Sequence, residues 1–243
     1  VTALTLLLAG ATVLLLGPVP ARLARSRRAL RHPGPALAAW QAVGLASGFA
    51  VIGAGVSYGV ESPQWTHRAV LALAVMFAGY LLAVAVRVTV RTMRHRRRHR
   101  DLLDLVSSPM PLDLPGGRLL DSSTAMAYCL PGLRPRMVLT SAALTNLSPA
   151  ALAAVVLHES AHLAQRHDLV VLPFVAWQSA LPFLPGARTA RAAVALLVEA
   201  LADDAARSRI GTAPLAEALT TVAMAGSADY RASPSVAVRL GRL

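Results

Sequence analysis

The chain has 243 residues, of which 55% are hydrophobic and 15% charged, and its formal net charge is +12. So apolar a composition excludes an ordinary soluble domain. The single cysteine, Cys129, excludes an internal disulfide framework and fits a reducing compartment.

Three apolar segments open the chain, at about residues 2–21, 36–60 and 69–90. Each is long enough to cross a bilayer as a helix, and Arg87 near the end of the third can snorkel. Their flanks are lopsided. Arg22, Arg25, Arg27, Arg28 and Arg31 lie between the first two, and RTMRHRRRHR, residues 91–100, follows the third. The loop ESPQWTHR between the second and third carries only Arg68, with Trp65 as an interfacial anchor. The positive-inside rule then places the N-terminus outside and begins the remainder in the cytoplasm. The first segment lacks a basic leading region and its charges follow the apolar run, so it reads as a retained helix rather than a cleaved signal peptide. All 24 basic residues are arginine, which points to coding bias. The run at 91–100 resembles a nucleic-acid patch, but directly after a span it reads as a topology determinant contacting anionic lipid. No direct nucleic-acid binding is expected.

The pattern next becomes strand-like. RLLDSSTAMAYCL, then PGLRP, then RMVLTS predict a β-hairpin around a Pro-Gly turn. Ala125, Met126, Ala127, Tyr128, Cys129 and Leu130 are the candidate edge along which an extended substrate adds by main-chain hydrogen bonds. A purely structural hairpin capping the helices is the alternative.

SPAALAAVVLHESAHLAQRHD follows, with Ser148 as helix N-cap and Pro149 at the first helical position. His158 and His162 are four residues apart and share one helical face, so both imidazoles can grip one zinc ion. Glu159 is placed to take a proton from the attacking water, the chemistry of a hydrolase. Two incidental histidines on an ordinary helix are the alternative.

The third ligand is expected from RAAVALLVEALADDAARSRIG, a helix with Gly211 as its C-cap. There Glu199 interrupts an apolar run in which a bare carboxylate is costly. Asp203, four residues on, suits a second-shell acceptor that orients a histidine ring. Two rivals exist. Asp168 stands where the metzincin pattern puts its third ligand, but Gln165 occupies the position where that pattern needs glycine. His167 falls on a different helical face from His162. Arg207 or Arg209 is a possible transition-state stabiliser.

Residues 169–187 come between the two motifs. The stretch is nearly long enough to cross once, which would separate Glu199 from His158, and too short to cross twice. Pro173, Pro182 and Pro185 break it up. It is expected to dip into the membrane interface, or pack against the spans, and return. A buried core connection is the alternative.

LHESAHLAQRHD, the apolar stretch and VEALADDAA, preceded by AYCLPGLRPRMVLTSAAL, resemble the BlaR/MecR-type integral-membrane metallopeptidases. The likeness covers most of residues 122–243 and the three-span layout before them. It implies a gluzincin fold in which His158, His162 and Glu199 bind zinc and Glu159 is the base. It also implies cleavage of cytoplasmic targets, often a transcriptional repressor. The chain departs from that group in having no lysine, hence no S-x-x-K sensor motif, and in stopping at Leu243 where a fourth span usually follows. The HtpX-like membrane peptidases share both motifs but usually place two spans between them.

The expected protein is mainly helical: three N-terminal transmembrane helices over residues 1–90, then a zincin-like α+β metalloprotease domain over 91–243 with a small β-hairpin. It is an integral-membrane endopeptidase holding one Zn2+ per chain, set in a bacterial cell membrane with its protease domain cytoplasmic. Its partners are a protein substrate and the bilayer. The alternatives are an HtpX-like quality-control protease and a non-catalytic zinc-binding membrane sensor. Glu159 separates the last, since a structural zinc site needs no base.

Overall fold

A computed structural model describes residues 1–110, 114, 116–225 and 234–243. The chain forms two compact units, one of residues 1–90 and 171–197, the other of 91–170 and 198–243.

The first unit begins with α1 (Ala3–Leu16) and α2 (Pro18–Ala24), which together form the first apolar stretch long enough to span. The break at Gly17 follows from Pro18, which lacks an amide proton and pushes the preceding residue out of the helical region. After the short α3 (Arg27–Arg31) come α4 (Pro33–Val60) and α5 (Trp65–Val106). These stretches are the three membrane-spanning helices, and large apolar side chains such as Leu7, Phe49 and Leu82 point outward from them. The two long helices approach closely: a Cβ at Gly59 would lie 2.5 Å from the Leu71 Cβ, so only glycine fits. At one end of α1 the hydroxyl of Thr5 donates to Glu61 at 2.6 Å and meets Ser57 at 2.8 Å, tying α1 to α4.

Residues 169–187 form most of α8 (His167–Ala180), a turn, and the start of α9 (Pro185–Ile210). The helix runs through Pro173, which sequence reasoning takes for a breaker. A mid-helix proline costs about 3 kcal/mol. The next residue, Phe174, is fully buried beside Gly44 of the same unit, a burial worth about 1.5–3 kcal/mol that works against that cost. The Tyr80 hydroxyl also donates to the Ala180 carbonyl at 2.9 Å. Pro182 lies in the turn and Pro185 begins α9, both positions that suit the ring.

The second unit is a mixed α/β domain. Its sheet contains β1 (Ser107–Pro109), β2 (Gly117–Leu120), β3 (Ala127–Leu130) and β4 (Arg136–Thr140), in the order β1-β2-β4-β3. The hairpin expected from sequence is the antiparallel β3–β4 pair. The strand expected over 118–130 is divided: GRLL supplies β2, parallel to β4, and the chain detours before β3 begins. Thr140 explains the detour's anchorage, since its hydroxyl donates to the Thr124 carbonyl at 2.9 Å and accepts from the Met126 amide at 2.9 Å. One sheet face packs on Leu103 at the end of α5, where Asp104 pairs with Arg118 and Arg136. Beyond the sheet come α6 (Ser141–Asn146), α7 (Pro149–Ala164), α10 (Thr212–Ala225) and α11 (Pro234–Leu240). The core between them is built largely of alanines (Ala143, Ala151, Ala154, Ala206 and Ala218) with Leu139 and Leu215, so the helices lie close together. Truncating Leu139 there would cost about 2–5 kcal/mol.

Candidate metal centre

Helix α7 carries the first motif, and its start is set as the sequence predicts: the Ser148 hydroxyl accepts from the Ala151 amide at 3.1 Å, with Pro149 next. Glu217 of α10 accepts from both the amide and the hydroxyl of Ser148, fixing the cap to its neighbour. Helix α9 carries the second motif and ends at Gly211, whose φ of +85° suits glycine and whose amide bonds the Arg207 carbonyl.

The two helices bring His158, His162 and Glu199 together. The Nε2 atoms of the two histidines are 3.1 Å apart; Glu199 Oε2 lies 3.4 Å from His158 Nε2 and Glu199 Oε1 3.5 Å from His162 Nε2. Ligands at zinc bond lengths of about 2.0–2.1 Å in a tetrahedron stand about 3.3 Å from one another. The three donors match that spacing, and two imidazoles with one carboxylate are a donor set suited to a divalent ion. The cluster can chelate such a metal, and three protein ligands leave a position open.

The surroundings hold these rings in place. His158 Nδ1 lies 3.0 Å from Asp203 Oδ1, close enough for an ion-pair contact although not aligned as a hydrogen bond. His162 Nδ1 lies 2.9 Å from Nδ1 of the buried His167, whose Nε2 meets Gln165 Oε1 at 3.0 Å. His167 therefore stands behind a cluster histidine and outside the three-donor cluster. Asp168 is also outside it, paired with Arg96 at 2.6 Å.

Arg239 on α11 escapes sequence reasoning. Its guanidinium donates to both oxygens of Asp203, at 2.7 and 2.8 Å, and its Nη1 lies 2.8 Å from Glu199 Oε2. It lies about a hundred residues after β3 in a stretch without a motif, so spacing offered no signal. Arg207 instead pairs with Asp204 at 2.8 Å, and Arg209 is exposed; neither lines the cleft, whereas Arg239 does. Arg242 pairs with Asp204 and donates to the Ala200 carbonyl, clasping α11 onto α9.

These charges set the protonation of the site before any metal binds. Burial opposes charge on His158, but Asp203 and Glu199 outweigh it and raise the ring to about 9. Burial lowers His162 to about 4. Burial opposes ionisation of Asp203, yet Arg239 and His158 bring it down to about 2. Burial raises Glu159 above the usual carboxylate range, toward the values a general base needs at neutral pH. Burial and the neighbouring Glu159 push the Cys129 thiol up, so it stays protonated.

The cluster opens on a cleft of about 360 Å³ lined by His158, Glu159, His162, Glu199 and Arg239, and by Ala127, Tyr128 and Cys129 of β3. Of the expected edge, 127–130 form a strand at the sheet's margin, while Ala125 is buried in the core and Met126 precedes the strand.

An H-E-x-x-H helix, a downstream glutamate on a second helix and a small sheet beside them define a zincin-type metallopeptidase. Residues 90–228 match peptidase family M48, and the chain belongs to that family. It is a membrane-associated zinc metallopeptidase. The match favours the HtpX-like side of the two resemblances read from sequence and does not tie the chain to the BlaR/MecR type. No curated protein and no solved structure matches the chain.

Proposed function

We propose that the protein is a multi-pass endopeptidase of the bacterial cell membrane that cleaves extended segments of cytoplasmic or membrane-proximal proteins. The observation that carries this reading is the convergence of His158, His162 and Glu199 at one end of a cleft whose wall is the edge strand β3. In this reading His158 and His162 offer Nε2, and Glu199 its carboxylate, to one Zn2+ per chain. An ion bound there would supply a Lewis acid that polarises the scissile carbonyl and acidifies the attacking water. Glu159 takes that water's proton and delivers it to the leaving amine. The substrate main chain adds to β3, which aligns the scissile bond with Glu159. Asp203 and His167 fix the two rings, and Arg239 fixes Asp203 and Glu199, so it acts as a positioning residue.

The HtpX-like affinity favours membrane-protein quality control over cleavage of a repressor. The arginines after α5's apolar portion would lie inside and meet anionic lipid. The test is Glu159→Gln in the full chain. It should keep about one zinc per chain and lose hydrolysis, and membrane proteins rather than one repressor should accumulate in cells carrying it. Wild-type activity in Glu159→Gln would overturn the mechanism; accumulation of a single cytoplasmic repressor would restore the other substrate class.

A further inference from the structure

A second concavity in the same unit shares no lining residue with the cleft that holds His158, His162 and Glu199. It measures about 420 Å³ and lies between the end of α5, the β3–β4 turn and the start of α8. Met93, Arg96, Arg97 and Arg100 all line it, at spacings of three, one and three residues that place them on one helical face. Arg134 from the β3–β4 turn and Arg166 from the α7–α8 junction face them. Five arginines thus meet a single acid, Asp168, which pairs with Arg96 at 2.6 Å and more loosely with Arg166 at 3.7 Å. Arg100 is held by the Pro131 carbonyl at 2.7 Å, which fixes the turn against the helix. Such an excess of guanidinium forks suits a phosphate.

The apolar part of the lining indicates where the phosphate comes from. Leu133, at the tip of the turn, is 99% exposed, and Met93 and Leu169 are exposed beside the arginines. An aqueous anion needs no such rim, whereas a lipid presents acyl chains next to its phosphate. Depth agrees. Met93 to Arg97 lie about 3–9 Å along the helix beyond Arg91, the first residue of the arginine run. The headgroup layer of one leaflet is about 5–8 Å thick.

We propose that this pocket binds the phosphodiester headgroup of an anionic glycerophospholipid, with Arg97, Arg134 and Arg166 on the phosphate and Leu133 in the acyl region. The pocket is more than a basic stripe that any acidic surface would attract, because Arg94 and Arg98 of the same run do not line it. Its wall also touches the peptidase site, since Arg166 and Asp168 flank His167, the residue behind His162. Arg166 is, among the described residues, the one non-glycine with positive φ, at +50°. The proposal builds on the membrane setting above but not on hydrolysis.

The test is native mass spectrometry of the full chain in mild detergent, titrated with dioleoyl phosphatidylglycerol or dioleoyl phosphatidylcholine. One phosphatidylglycerol should be retained per chain in preference to phosphatidylcholine. Arg97→Gln/Arg134→Gln should weaken that retention about tenfold or more, while Arg94→Gln/Arg98→Gln, with the same loss of charge, should not. Equal loss in both doubles, or in neither, would overturn a discrete site. Inorganic phosphate displacing the lipid at similar concentration would make it a soluble-anion site. An acidic peptide binding in an Arg97- and Arg134-dependent way, without lipid preference, would make it a protein-docking site. Repeating the titration with Glu159→Gln separates failure of this proposal from failure of the peptidase mechanism, because headgroup binding needs no turnover.

Discussion

Arg239 grips Asp203 with both arms of its guanidinium, Nε to Oδ2 at 2.8 Å and Nη2 to Oδ1 at 2.7 Å, inside a cleft where both side chains are almost wholly buried. A third nitrogen reaches Glu199 at 2.8 Å. One cation from α11 therefore bridges two carboxylates of α9, one of which faces the two histidine Nε2 atoms while the other contacts His158 Nδ1.

Arg239→Gln should accordingly act twice. Leaving Asp203 buried without its partner should cost about 3–5 kcal/mol of stability. Loosening Asp203 and Glu199 together should weaken zinc binding about 10–100-fold. Arg239→Lys, which keeps the charge but not the fork, should fall between. Thermal unfolding and a competitive chelator titration measure the two effects. Full zinc affinity in Arg239→Gln would remove Arg239 from the positioning role.

Asp168, the acidic rival for third ligand, and Asp203, the carboxylate beside His158, separate cleanly by substitution. Asp168 is paired with Arg96 and does not reach the histidine nitrogens of the cluster, so Asp168→Asn should leave zinc affinity nearly unchanged. Asp203→Asn should lower affinity or activity about 10–100-fold, because the His158 ring loses its orienting carboxylate. A large zinc loss in Asp168→Asn would reopen the choice of third ligand.

The spacings of His158 with His162 and of Glu199 with Asp203 were legible in the sequence, because one helical repeat turns distance in the chain into distance in space; that the two helices meet is tertiary and came from the structure. Sequence spacing did not find His167's place behind His162. That contact depends on Arg166 turning the chain at positive φ between two helices, a conformation no residue pattern announced. It missed Arg239 for a simpler reason: the contact is tertiary, and an arginine in an arginine-rich chain carries no mark of its own. In the same way three apolar runs revealed the spans, but not that α8 would continue through Pro173, which rests on the packing of Phe174.

The pH dependence of stability should differ between metal-free and metal-loaded protein. His158 is raised from 6.5 to about 9 by Asp203 and Glu199 once burial is overcome. A raised folded value means the stabilisation is fully present below about 6.5 and is lost as pH rises toward 9. His162, lowered to about 4, is already neutral in the folded protein across that window, and its unfolded ring, near 6.5, finishes losing its proton about a unit higher, so it offsets the change only at the window's lower edge. Metal binding needs His158 deprotonated and so strengthens as pH rises. The gap in melting temperature between loaded and metal-free protein should therefore widen from pH 6.5 to 8.5, as differential scanning fluorimetry would show. A gap that narrows would mean His158 is not the protonated member of the metal-free cluster.

Topology links the membrane reading to the chemistry. His162 and Glu199 lie in one compact unit with their ligand atoms 3.5 Å apart, and α8 and the first half of α9 intervene. Helix α8 has 14 residues, about 21 Å at the rise of an α-helix, which falls short of a hydrocarbon core of about 30 Å. A helix that short, followed by a turn and a return, lets the chain leave and re-enter the same side. Reporter fusions after Arg100 and after Gly211 should therefore both report the cytoplasm, and a fusion near Trp65 the outside, with the arginine runs setting the sign. If both sites reported the outside, the orientation would be inverted but the metal centre would stand. If only the Gly211 fusion reported the outside, Glu199 would lie across the bilayer from His158, and the three-ligand site would have to be abandoned.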